Sequence, residues 1–430
     1  MKIAYFTLLN PLKSGISDWA EELLPHLKKY FDIDLFVPIL PEEVTNESIK
    51  SRFKIFSIED WQQHSSEYDF SIYQVGNNSL HEKFLNIFLK TGGVKILELH
   101  DIALHHYLAE TTVARKKNNE YLAVLEYCHG KNAVNEAKKF LAGQRPSLWE
   151  SESLKYSVIK HFVDRADGVI VHSDFAKQIV KGIAPQKHVC SIPLPSKIYP
   201  ESLDSAYKNS RKLLNISDDE IVIASFGFAT PSKRILQIIH QLANLKKFTK
   251  KKFSYYILGE NRIPELIPTI NNLELEDTVH VMGRVSAEEF ELYCKASDLC
   301  FNLRFPTQGE SSASLMQLLG FGKKVVVTDI GSFHDFPDFC VYKIRHGVHE
   351  DADILKAILT FFKNFKGFDK AYAERTVDYV KKNYNLDFIA KMYSESLTNS
   401  NGETSYMDKL LDSVMDYPGF EEKIMQKLIG

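Results

Sequence analysis

The chain is poor in cysteine, with five in 430 residues, at positions 128, 190, 294, 300 and 340, and no C-x-x-C pair. A scattered, odd-numbered set in a chain of this length reads as reduced thiols rather than a disulfide framework, and argues for a cytosolic location. No stretch reaches the roughly 18 consecutive apolar residues of a membrane-spanning helix. Residues 1–7 already read as a strand, without the basic and apolar regions of a signal peptide. Positive charge is not in excess either. The formal net charge is −3, which argues against a nucleic-acid partner. The one basic run, Lys246, Lys247, Lys250, Lys251 and Lys252, falls between a helix and a strand. It reads as a solvated loop, with contact to anionic lipid headgroups as the other reading. The loop after the first strand lacks G-x-G-x-x-G, so the dinucleotide fingerprint is missing there.

What is present is ordinary in bulk and regular in order. Hydrophobic residues make up 44% and charged residues 25% of the chain, as in globular proteins, and the length implies two domains or more. Strand and helix patterns alternate from end to end, the signature of parallel sheets covered by helices. The first series gives strands at 2–7, 34–37, 53–56, 70–75, 94–99, 168–172 and 188–192, interrupted at 102–163 by a polar helical insertion. Prolines 193, 195 and 200 mark a linker. The second series gives strands at 221–227, 254–258, 279–282, 299–303, 325–328 and 341–344. These patterns predict an N-terminal Rossmann-like domain over 1–197, a second over 198–385, a closing helix at 386–397, and a flexible linker and helical tail over 398–430. Ligands of such sheets bind beyond the carboxyl ends of the strands, so the loops after strands are where chemistry is expected.

Four such loops stand out. Residues 8–18, L-L-N-P-L-K-S-G-I-S-D, lead from the first strand into the first helix, and Gly15 permits close approach of a ligand to the backbone. Residues 73–81, Y-Q-V-G-N-N-S-L-H, put Asn77 and Asn78 directly after a buried strand, either as sugar-binding amides or as turn formers. Residues 98–106, E-L-H-D-I-A-L-H-H, offer His100, Asp101, His105 and His106 as metal ligands. Adjacent residues rarely both ligate, so His100 reads as a polar group facing a cleft and Asp101 as a helix N-cap. Residues 225–234, S-F-G-F-A-T-P-S-K-R, place Lys233 and Arg234 at a helix start. The helix dipole disfavours cations there unless they hold an anion.

The densest signal is residues 302–337. A short buried strand leads into small residues at 307–312, then a helix with Leu315, Met316, Leu318 and Leu319 on one face and Gly322 at its stop, then a β-branched strand. Backbone N–H groups at that helix start, with Ser311, Ser312 and Ser314 around them, suit a phosphate, and Arg304 and Glu310 are poised beside it.

These residues carry a resemblance. R-F-P-T-Q-G-E-S-S-A-S-L at 304–315, V-V-V-T-D-I-G-S-F-H-D-F-P at 325–337, F-G-F-A-T-P-S-K-R at 226–234, Y-Q-V-G-N-N-S-L-H at 73–81 and, more weakly, L-H-D at 99–101 make the chain resemble a retaining glycosyltransferase of family 4 (glycosyl transferases group 1) over about residues 1–397. The resemblance implies an α/β GT-B fold, two facing Rossmann-like domains with an interdomain cleft, the first on the acceptor side and the second binding a nucleotide sugar. It implies that Lys233 holds the donor diphosphate. Phe228 stands where an Arg is usual, so Arg304 or Arg234 would supply that charge. Glu310 matches the first Glu of a Glu-x7-Glu motif, near the transferred sugar, while Gln317 replaces the second and meets the ribose without charge. Backbone groups of Ser311, Ser312, Ala313 and Ser314 would bind the diphosphate, with Gly227, Asn77 and Asn78 in the donor-binding set. Gly15 would approach the β-phosphate and His100 would face the donor sugar.

The implied reaction is hexosyl transfer with retention of configuration to a glycan, lipid-linked or protein acceptor, with no protein nucleophile, metal or other cofactor, and with domain closure excluding water. Peripheral association with the inner face of a membrane, and a homo-oligomer formed through the tail, are further expectations. The competing readings are a sugar-nucleotide epimerase of the same fold and a non-catalytic two-domain sugar-binding protein. A pyridoxal-phosphate phosphorylase fits poorly, being usually far longer.

Overall fold

The computed structural model describes residues 1–199 and 202–398. Pro200 of the expected linker, and the expected linker and helices beyond residue 398, lie outside the described residues. The chain divides into two compact units. One comprises Met1–Pro193, Gln308–Glu310 and the described residues from Leu386 on; the other comprises Leu194–Thr307 and Ser311–Asn385.

In the first unit seven parallel strands, β1 (Lys2–Phe6), β2 (Asp32–Val37), β3 (Lys54–Ser57), β4 (Phe70–Val75), β5 (Lys95–Leu99), β6 (Gly168–Val171) and β7 (His188–Ser191), lie in the order β3-β2-β1-β4-β5-β6-β7. The inner strands are buried on both faces, as in a sheet covered by helices. Aromatics fill one side: Phe6 stacks on Tyr73 and Phe36, with ring centroids 4.2 and 5.0 Å apart, and meets Trp61 edge-on. Helix Gly15–Leu27 starts where Ser14 Oγ accepts the Ile16 N–H, and it buries Trp19, Leu23, Leu24 and Leu27. Between β5 and β6 lie helices His105–Thr111, Asn118–Leu141, Leu148–Ser151 and Lys160–Val163; the second of these is broken at Gly130, where φ is 74°.

The last described helix, Leu386–Thr398, packs on helix Gly15–Leu27. Asp387 takes His26 at 2.7 Å and also pairs with Lys29. Deeper in, the Tyr393 hydroxyl donates to Glu98 of β5. The sequence pattern located this helix but not its seat.

In the second unit six parallel strands, β8 (Ile221–Phe226), β9 (Phe253–Leu258), β10 (Val279–Gly283), β11 (Leu299–Asn302), β12 (Lys324–Thr328) and β13 (Val341–Ile344), lie in the order β10-β9-β8-β11-β12-β13. Helix Leu203–Leu213, which the sequence pattern did not reveal, carries the buried Arg211. In both sheets the strand order reverses beside the first strand of the unit. The crevices where such sheets bind ligands therefore lie after β1 and β4 in one unit and after β8 and β11 in the other.

Candidate functional site

In the second unit the loops after β8 and β11 are tied together, the Phe305 N–H donating to the Ser232 carbonyl at 2.8 Å. The chain leaves β8 through Gly227, whose φ of +79° favours glycine, and a Cβ there would lie 2.8 Å from Lys233 Nζ. Lys233 is buried and its ammonium folds back onto the Phe226 carbonyl at the end of β8. The turn that forms it, Pro231–Lys233, is a single 3-10 turn with proline first, which presets its backbone. The cation is thus fixed at the carboxyl end of the central strand.

After β11, the Arg304 N–H is anchored on Thr328 Oγ1 at 3.0 Å and its guanidinium donates to the Leu303 carbonyl at 2.9 Å. Helix Ala313–Gly320 follows. Ser312 caps it, its Oγ accepting the Leu315 N–H at 3.2 Å, and Asn302 of β11 donates to Ser314 Oγ at 2.9 Å. The Ser312 hydroxyl serves the helix itself, so an anion there would rely on the first backbone N–H groups, which have no intrahelical partner. Gln317 is half-buried one turn along.

Arg234 has a carboxylate partner of its own. It occupies the left-handed region, with φ of 58°, at the N-cap of helix Ile235–Lys246, and its guanidinium grips the buried Glu350 at 2.6 and 2.8 Å. Its charge is paired within the unit. Phe228 itself is 43% exposed, with the Arg262 guanidinium 4.0 Å above its ring.

In the first unit Gly15 opens helix Gly15–Leu27, and a Cβ added there would meet no described protein atom within 4 Å. After β4 and β5, the segments 76–78, 100–103 and 308–310 form one cluster. The Asp101 carboxylate accepts the Asn77 N–H at 2.8 Å, so it does not cap a helix, and the Gln308 carbonyl accepts the Ile102 and Ala103 N–H groups, each at 3.1 Å. Gly309 has φ of +74°, and a Cβ would strike Ile102 at 2.8 Å. The Glu310 carboxylate accepts the Gln308 N–H at 2.7 Å. Burial, with Glu310 nearby, pushes Asp101 up to about 7.

Asn77 and Asn78 brace the loops around them. Asn77 donates to Gln308 Oε1 at 3.0 Å and accepts the Tyr107 N–H at 3.0 Å, and Asn78 Oδ1 caps the turn at Leu80. Each end of the Asn77 amide thus has one partner within the protein.

The histidines divide in the same way. His105 meets the Tyr121 hydroxyl at 2.9 Å and His106 lies 3.5 Å from Glu150, so neither converges with His100. Instead His100 sits beside His172 across the parallel β5–β6 pair, ring centroids 4.5 Å apart, with the edge of Trp19 against both. Burial, then His172 and His81, hold His100 well below its usual value, so it is neutral. Glu98, His100 and His172 place candidate ligand atoms within 4.8 Å of one another, a grouping hidden in the sequence because two strands supply it. Both Glu98 oxygens are already occupied, by the hydroxyls of Tyr5 and Tyr393.

Burial raises Glu98 from 4.5 to about 7. Its folded value lies above its unfolded one, so its contribution to stability is complete below about pH 4.5 and is lost as pH rises through about 7. Glu98→Gln should flatten the pH dependence of unfolding across that window by up to about 3 kcal/mol, at about 1.4 kcal/mol per pK unit. Denaturant titrations of both forms at the two ends of the window check this; parallel curves would count against it.

Comparison with known proteins falls on the same regions. Residues 207–336 match the family Glycosyl transferases group 1. An uncharacterized glycosyltransferase of Methanocaldococcus jannaschii is 21% identical over 411 residues, covering 90% of this chain and 95% of the relative. Sucrose-phosphate synthase from Thermosynechococcus elongatus superposes with a TM-score of 0.62 at 13% identity, over 92% of this chain and 98% of that one. Anabaena HepE, solved with UDP and glucose, gives 0.62 at 15% identity, over 92% and 99%. These likenesses establish the GT-B fold, two parallel-sheet Rossmann-like domains.

Proposed function

From a chain that carries a Glycosyl transferases group 1 domain on a GT-B fold, we propose a retaining transfer of a hexosyl group from a nucleoside-diphosphate sugar to an acceptor hydroxyl. The observation that carries this reading is the buried Lys233 ammonium fixed at the end of β8, on a loop hydrogen-bonded to the one that precedes helix Ala313–Gly320. Lys233, Arg304 and the N–H groups at 312–314 meet the diphosphate and stabilise its growing charge as the sugar leaves. Glu310 orients the sugar through its hydroxyls, and neutral His100 offers it a hydrogen bond. The acceptor proton passes to the leaving phosphate oxygen on the face that the acceptor attacks, so no side chain forms a covalent intermediate. HepE, solved with UDP and glucose, supports a nucleoside-diphosphate sugar as donor and makes UDP-glucose the first to try.

The assay is nucleoside diphosphate release with and without acceptor, with NMR of the product. Release that requires acceptor, and an α-glycoside from an α-linked donor, are the expected results; a β-product would overturn retention. Activity should also survive EDTA, since the cations named above take the place of a metal. Complete loss restored by a divalent ion would reverse that assignment.

Gly15 tests the donor side separately. The protein leaves its Cβ position open, so Gly15→Leu should keep the melting temperature. If the β-phosphate lies there, the same change weakens donor binding at least about tenfold, the scale of one lost close contact of roughly 1.4 kcal/mol. Unchanged donor affinity would remove Gly15 from the site.

A further inference from the structure

The turn between helix Ile235–Lys246 and β9 reads K-K-F-T-K-K-K over residues 246–252. Its backbone is braced at several points. The Phe248 and Thr249 N–H groups donate to the Leu245 carbonyl at 2.9 and 3.1 Å, the Lys251 N–H donates to Thr249 Oγ1 at 3.2 Å, and the Lys252 carbonyl accepts the Ile221 N–H at 2.9 Å. On this turn Phe248 is 87% exposed. A large apolar side chain held in water at the tip of an ordered turn gains nothing from the fold that carries it.

The charges around it are largely uncompensated. Lys252 pairs with Glu220 at 2.8 Å. Among the described residues Lys246 and Lys251 donate to main-chain carbonyls, of Glu274 and Phe362, at 2.9 and 2.5 Å, and pair with no carboxylate. Among the described residues no carboxylate pairs with Lys247 or Lys250, which flank the ring. Lys251 reaches the last turn of helix Glu350–Asn364, whose own basic residue there is Lys363. Five lysines within seven residues thus bracket one protruding aromatic in sequence, on a chain whose net charge is −3.

We propose that this turn is a contact point for an anionic lipid surface, with the lysines meeting headgroup phosphates and Phe248 entering the boundary between headgroups and acyl chains. The aromatic decides the partner. A soluble polyanion would satisfy the lysines and leave the ring in water, whereas a bilayer presents anionic charge above an apolar layer and takes both. The inference stands apart from the sugar-transfer reading and rests on none of its residues.

The test is co-sedimentation of the full chain with vesicles of phosphatidylcholine alone and with about one-third phosphatidylglycerol. Binding is expected only to the anionic vesicles and should fall steeply with added salt. Phe248→Ser and the pair Lys247→Glu with Lys250→Glu should each lower the partition coefficient at least about tenfold, with unchanged melting temperature and unchanged turnover of soluble substrates. Anionic-vesicle binding that both variants retain would place the contact elsewhere and overturn the proposal. So would a Phe248→Ser protein that binds as well as the parent, or binding to soluble polyanions but not to vesicles.

Discussion

Lys233→Ala will lower kcat/KM about 10²–10³-fold, the usual loss when one preorganised electrostatic donor to a transition state is removed. The reasoning begins with position. Lys233 is a buried cation hydrogen-bonded to the Phe226 carbonyl, so its charge is already aimed before any donor arrives. On the proposed reaction, a cation in such a site would not have to reorganise as negative charge gathers on the leaving diphosphate, and its effect would exceed that of a mobile surface lysine. Lys233→Arg should fail to rescue, because the space over Gly227 is already so tight that a Cβ there would lie 2.8 Å from the ammonium. Arg304→Ala should fall on the same scale. A purely structural Lys233 would show a lowered melting temperature with turnover preserved in the folded fraction. Near wild-type turnover of both alanine variants at saturating donor would remove the assignment.

Asp298→Ala will destabilise the second unit by about 3–5 kcal/mol, the scale for stranding one member of a buried ion pair. Asp298 accepts the Tyr207 hydroxyl at 2.7 Å, the Val222 N–H at 2.8 Å and Arg211 Nη1 at 3.0 Å. The Arg211 side chain is 1% exposed, and its remaining partners are the main-chain carbonyls of Ala296, Ser217 and Glu220. Carbonyl dipoles do not neutralise a guanidinium, so the deletion leaves a dry, uncompensated charge. Arg211→Met combined with Asp298→Ala should cost less than the sum of the single changes, as expected for residues in contact. Because Asp298 immediately precedes β11, at the end of the sheet away from Lys233, kcat measured well below the melting transition should not change. Chemical denaturation reads the first claim and turnover the second; additive single and double variants would dissolve the pair.

The strands were legible because a parallel sheet buried on both faces writes itself as short apolar runs. β4 and β13 are found at 70–75 and 341–344, where the pattern put them. Helix Leu203–Leu213 was hidden because its sequence, L-D-S-A-Y-K-N-S-R-K-L, is dominated by polar residues, and Arg211 looked like surface charge until tertiary structure supplied its carboxylate. Loop polarity was readable, but loop allegiance was not. Asn77, Asn78 and Arg234 are polar groups after strands, as expected of binding residues, yet their hydrogen bonds go to Gln308, Tyr107, Leu80 and Glu350. Glu98 and His172 went unnoticed because they are far apart in sequence and meet only through the β5–β6 pairing. A periodic pattern names the face of a helix that will be covered but not the element that covers it, which is why Leu386–Thr398 had no assigned seat.

That last helix has a consequence for how the protein is made. The ribosome delivers Met1–Pro193, with all seven strands of the sheet, before Leu194–Asn385, and domains ordinarily fold in the order of synthesis. Here the cover over Glu98 and over helix Gly15–Leu27 is encoded almost 200 residues later, after the whole of Leu194–Asn385. The first unit to emerge is therefore the last to be finished, and during translation it waits with the Glu98 carboxyl uncovered on one side. A nascent chain stalled before Tyr393 would carry a sheet with a missing lid, a natural client for chaperones, whereas the second unit could close as soon as Asn385 had cleared the exit tunnel.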